Sequence, residues 1–179
     1  ALSLYSTALT LGGMAGALVP TAAALYAGSA ALGAYALLAA RRQPARTPRL
    51  CTDSPSAAAR LLAPGAVVFW ALTLSFAVYF AVRQPDFGAY DEYSLWGTAA
   101  KLTREQNVLF TEAKFSWPWQ ATQNPGLITL SYFFQFFGAF AAWKVHLAYD
   151  ALLFACFAAV LGSVEWKHYA LAFPAAVAC

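Results

Sequence analysis

The stretch "PGAVVFWALTLSFAVYFAV" at residues 64–82 holds no charged side chain and reads as a membrane span. A helix rises about 1.5 Å per residue and the hydrocarbon of a bilayer is about 30 Å thick, so about 20 such residues cross it. The rest of the chain shares this character. Of 179 residues, 61% are hydrophobic and 11% are charged, against about 25% charged in ordinary soluble domains. Apolar runs between charged or proline-rich breaks predict helices at 2–19, 21–40, 64–82, 125–142 and 145–162, with a sixth beginning near 169. No period-2 alternation suggests a barrel, and an open sheet edge in lipid would leave backbone groups unsatisfied. The expected fold is all-α: a polytopic transmembrane bundle of five to six spans, with the lipid bilayer as its first partner.

The sequence opens on "ALSLYSTALTLGG" and ends inside the apolar run "HYALAFPAAVAC", and is expected to be an internal piece of a longer protein. Its first apolar run has no basic segment before it, which argues against a signal peptide. Cys51, Cys156 and Cys179 are widely spaced and suggest neither a disulfide framework nor a metal site. Four regions follow: two N-terminal helices in 1–40, a basic loop at 41–63, a pair of spans in 64–142 enclosing a loop at 83–124, and further helices in 143–179. The first two helices are rich in Ala and Gly, which suits close packing in a membrane.

The basic loop holds Arg41, Arg42, Arg46, Arg49 and Arg60 against Asp53. By the positive-inside rule it is cytoplasmic, so the span from Pro64 carries the chain outward and loop 83–124 is extracytoplasmic. That loop is close to neutral, with Asp86, Asp91, Glu92, Glu105 and Glu112 facing Arg83, Lys101, Arg104 and Lys114. On this count the "WKVH" joint at 143–146 is cytoplasmic and "SVEWKH" at 163–168 extracytoplasmic, though one Lys in each decides neither.

Chemistry concentrates in "FGAYDEYSLWGTAAKLTREQ" at 87–106. Ser94, Thr98, Lys101 and Glu105 share a polar face, and Leu95, Trp96, Ala99 and Leu102 an apolar one, which predicts an interfacial amphipathic helix with Ser94 as N-cap. Asp91 and Glu92 then stand before its first turn, where negative charge favours the helix start. A capping role and a chemical role for the pair both stay open. Further along, Phe115, Trp117 and Trp119 suit an interface anchor or the flank of a sugar or lipid carrier.

The order of these features resembles the first extracytoplasmic loop of C-type (GT-C) membrane glycosyltransferases. The wording "YDEYSLWGTAAKL" at 90–102 is similar to a D-E…W…K pattern of their bacterial multispanning members, relatives of the protein O-mannosyltransferases and the lipid A aminoarabinose transferases. "TQNPGLITLSYFF" at 122–134 resembles their "YPPG" entry into the next span, but departs at Asn124, where proline or a neighbouring Tyr or His is usual. The resemblance covers about residues 64–142. It implies a bacterial inner-membrane enzyme that moves a sugar from a polyprenyl-phosphate donor to a glycan, lipid or protein acceptor on the outer face. Asp91 would be the general base, with Glu92 second, because a hydroxyl nucleophile must lose its proton as the anomeric bond forms. Lys101 and Arg104 would bind the donor phosphate, and Trp96, Trp117 and Trp119 would line the substrate or the interface. A divalent metal could bridge carboxylates and phosphate, yet two acids alone do not make a metal site.

Within the fifth predicted helix His146 and Asp150 share one face and form a potential intramembrane pair. Such a pair keeps a secondary transporter open as an alternative, alongside a noncatalytic polytopic protein; neither broken helices nor a repeat is visible. Nucleic-acid binding is not expected, since the net charge of +3 comes mainly from the topogenic loop.

Overall fold

The computed structural model describes residues 2–42, 63–114 and 124–161. Every regular element among them is helical: α1 (Leu2–Met14), α2 (Leu18–Arg42), α3 (Pro64–Arg83), a π-helical turn (Glu92–Trp96) running into α4 (Gly97–Gln106), α5 (Gly126–Gln135) and α6 (Ala142–Leu161). Among the described residues three helices are long and apolar enough to cross a membrane: Leu18–Ala39 of α2, Pro64–Arg83 and Ala142–Leu161. The loop cysteine Cys51, the terminal Cys179, most of the basic loop, Trp117, Trp119 and the helix expected near 169 lie outside the described residues.

Two of the expected spans are shorter than the hydropathy suggested. The run 2–19 is helical only as α1, with 13 residues, and 125–142 only as α5, with 10. These lengths correspond to about 20 Å and 15 Å, well short of a bilayer's hydrocarbon. α1 stops because the chain turns at Gly16, whose φ of +68° suits a residue without a Cβ. α5 stops because Gly138 adopts φ +90° and the carbonyls at its C-terminal end find partners elsewhere.

The chain divides into two compact units, Ala1–Leu25 with Thr73–Leu153, and Tyr26–Leu72 with Phe154–Cys179. In the second, Phe69 and Trp70 of α3 meet edge-on at 5.1 Å, and Cys156 of α6 is an exposed free thiol.

The first unit holds the site. Here α1 packs on α5 through hydroxyls: Ser6 Oγ donates to Gly126 O at 2.6 Å, Thr129 Oγ1 to Ser6 O at 3.2 Å, and the Thr10 and Thr129 hydroxyls lie 3.1 Å apart. Small hydroxyl residues let two apolar helices approach closely and hydrogen-bond across the contact. Leu9, Leu18, Ala22 and Tyr132 form one buried cluster where α1, the start of α2 and α5 meet. A second cluster joins Phe87, Ala99, Ala100, Phe110, Ile128 and Val145. It fastens α4 against α5 and α6, burying small residues of α4 that allow close contact.

Gly97 is the tightest point of this packing. A Cβ there would run into the Glu92 carbonyl and the Phe87 ring, and a backbone atom cannot swing aside as a side chain can. Gly97→Ala is therefore expected to cost about 1–3 kcal/mol, the range for overpacking a filled site, read as a lower thermal unfolding midpoint in detergent. An unchanged midpoint would mean that Phe87 does not pack on this helix.

Candidate functional site

The segment after α3 is built around a carboxylate. Glu92 Oε2 accepts the backbone N–H groups of Gly88, at 2.6 Å, and Ala89, at 2.9 Å, while Glu92 N and Tyr93 N donate to Ala89 O. A glutamate reaching back to free amides at a helix start is half of a capping box. The helix thus begins before Glu92, and Ser94, expected as N-cap, lies inside the π turn instead. The turn is widened by one residue, with Gly97 N donating to Glu92 O and the Thr98 hydroxyl donating to the Tyr93 carbonyl. Isolated π turns of this kind are frequent at functional sites.

The two adjacent acids consequently differ. The amides of Ala89 and Gly88 hold the Glu92 carboxyl below its ordinary range, outweighing the opposing effect of burial. Asp91 is exposed and has no hydrogen-bond or ion-pair partner among the described residues. Beside it Tyr90 and Tyr93 are exposed, at 82% and 55%; they were not singled out in the sequence, although "YDEY" brackets the acids with them.

The two cations of α4 also differ. Lys101 is solvent-exposed and lies 3.9 Å from Glu105 one turn on, a surface pair of small energetic weight. Arg104 turns inward: Nε donates to Gln135 O at 2.8 Å, Nη2 to Gly138 O at 2.6 Å and to Phe136 O at 3.4 Å, and Nη1 to Asn107 Oδ1 at 3.3 Å. Its guanidinium thus serves the turn between α5 and α6, not an open site. Asn107, at φ 57°, ends α4 and accepts the Tyr132 hydroxyl at 2.9 Å. Lys144 Nζ donates to Phe137 O and Ala139 O from the other side of the same turn. No local pattern marked Arg104 for this task, because its carbonyl partners lie more than 30 residues away.

His146 packs edge-on to Phe87 at 5.6 Å and against Phe80 at 6.1 Å, and its Nε2 is buried without a hydrogen-bond partner. No ion pair joins it to Asp150 among the described residues, so the expected pair is not formed as a direct contact. Trp96 lines a cavity of about 460 Å³ with Ser3, Ser6, Thr7 and Thr10 of α1, Asn124, and leucines that include Leu130 and Leu152. Among the described residues its lining carries no charged group, and neither Asp91 nor Glu92 is part of it. Among the described residues no group of three His, Cys, Asp or Glu side chains could hold a metal ion.

Comparison of the chain with protein-family models, curated proteins and solved structures finds no match.

Two outcomes follow from these bonds. Because the folded value of Glu92 lies below the unfolded one, its carboxylate stabilises the turn above the unfolded value and ceases to do so as pH falls through the lowered folded value. Amide exchange at Gly88 and Ala89 should lose protection across that acidic window in the wild type, whereas Glu92→Gln should show weak protection with no such transition. Arg104→Ala should destabilise the protein by about 1–3 kcal/mol, since it strands backbone carbonyls that a charged donor satisfied; thermal unfolding in detergent reads this directly.

Proposed function

We propose that the protein is a membrane glycosyltransferase that moves a sugar from a polyprenyl-phosphate donor to a glycan, lipid or protein acceptor, with Asp91 as general base. The observation that carries the reading is the division between the adjacent acids: Glu92 is spent on the Gly88 and Ala89 amides, while Asp91 stays open to solvent beside a rigid helix start. An accessible carboxylate held on a fixed frame is what proton removal from an acceptor hydroxyl requires. Glu92 then acts as a positioning residue. Arg104 is committed to backbone carbonyls, so the donor phosphate falls to exposed Lys101, with or without a bridging divalent metal.

In this reading the enzyme sits in the cytoplasmic membrane of a bacterium with Asp91 outward, supported by the basic loop between α2 and α3. The long helices supply three crossings. A total of five to six would need crossings outside the described residues, since α1 and α5 are too short to cross as helices. A secondary transporter is the second reading. It is favoured by the buried, unpartnered Nε2 of His146 and by Asp150 within the same apolar helix.

The test follows sugar transfer from endogenous polyprenyl-phosphate donors in membrane vesicles holding the full-length protein, with Asp91→Asn and Glu92→Gln at matched expression. Asp91→Asn should lose about 10²–10⁴-fold, the usual contribution of a general base, and Glu92→Gln less. Wild-type transfer by both variants would reduce the acid pair to helix capping. No transfer by the wild type would favour the transporter.

A further inference from the structure

The contacts around Phe87 bear on which membrane face each helix starts from. α3 ends at Arg83, and its last turn places Phe80 against His146 at 6.1 Å, in the second turn of α6. Phe87, four residues beyond α3, meets His146 at 5.6 Å and Phe140 at 6.3 Å, the latter in the turn that leads into α6. Had α6 started at the opposite face, Phe80 would lie beside the far end of α6 near Leu161, about 22 Å further along the helix axis.

We propose that residues 126–141 do not cross the membrane: α5 and its turn stay at the face where α3 ends, and α6 begins there, beside the acid pair. The Arg104 clamp requires the same arrangement. This guanidinium, on the helix that follows the acid pair, is bonded to carbonyls at 135, 136 and 138, which would otherwise sit a full bilayer away. Lys144 closes the turn from α6, donating to Phe137 O and Ala139 O. The residues 18–25 that begin α2 fall in the same compact unit as the end of α3 and the start of α6.

One sequence expectation reverses: the "WKVH" joint shares a face with Asp91. His146 and Asp150 then lie in the half of the membrane nearest the acid pair, in agreement with the packing of His146 on Phe87. These polar groups of α6 belong to the neighbourhood of the site instead of marking the far interface.

The experiment does not depend on the enzymatic activity. Full-length protein in its native membrane, with other cysteines replaced, carries one cysteine at a time: native Cys51, Ala89→Cys, Ala139→Cys or Phe137→Cys. Ala89, Phe137 and Ala139 are all exposed. A membrane-impermeant maleimide is applied first to intact cells and then to inverted vesicles. Ala139→Cys and Phe137→Cys should react from the side that labels Ala89→Cys and be shielded from the side that labels Cys51. Two positions guard against one variant disturbing the turn. Labelling of either from the Cys51 side overturns the proposal, because α5 with its flanks would then cross.

Discussion

The guanidinium of Arg104 holds the first unit in its shape. A helix end leaves backbone carbonyls without partners, and in apolar surroundings each unpaired one is costly. Arg104 supplies them from another helix, using the fork of donors that a lysine lacks. With Gln135, Phe136 and Gly138 so served, α5 can end after ten residues and the chain can turn at once into α6. Gln135 contributes from within, its Oε1 accepting the Ala141 amide at 3.1 Å. The short α5 and the immediate turn into α6 are held by this one side chain together with Lys144.

The acid pair is organised by the same frame. Phe87 packs into the space that Gly97 leaves free, which draws the chain ahead of the helix into a tight turn. The turn presents two free amides, and Glu92 answers them. Asp91, one residue earlier on the helical path, takes no part in that contact and is exposed. Two chemically similar neighbours thus acquire different surroundings from backbone geometry alone: Glu92 is bonded to two amides and Asp91 is left exposed.

Much of this could be read in advance, and the parts that could not share a cause. The α3 span was expected at 64–82 and is found at Pro64–Arg83, since nothing but apolar residues fills it and Arg83 marks its end. The amphipathic helix was expected from Ser94 with Lys101 and Glu105 outward, and both are exposed. By contrast "FFQFFGAFAAW" stays apolar straight through the turn between α5 and α6, so hydropathy merged turn and helix into one run. The lone Gly138 was too weak a signal to divide it. α1 was overextended for the same reason at Gly16. His146 and Asp150 sit four residues apart on one helix, which made a pair plausible, yet the imidazole is drawn to the Phe80 and Phe87 rings instead.

Local properties were therefore settled by the sequence itself: the helical class of the described residues, the long apolar runs that include α2, α3 and α6, and the adjacent acids just beyond the end of α3. Hydropathy, length and residue order need no knowledge of the rest of the chain. Where α1 and α5 end, which acid is free, what Arg104 binds and where α6 begins were decided only in the tertiary structure. Each depends on bonds between residues that the chain brings together from far apart, such as Arg104 with Gly138 or Ser6 with Gly126, and no window along the sequence contains both partners.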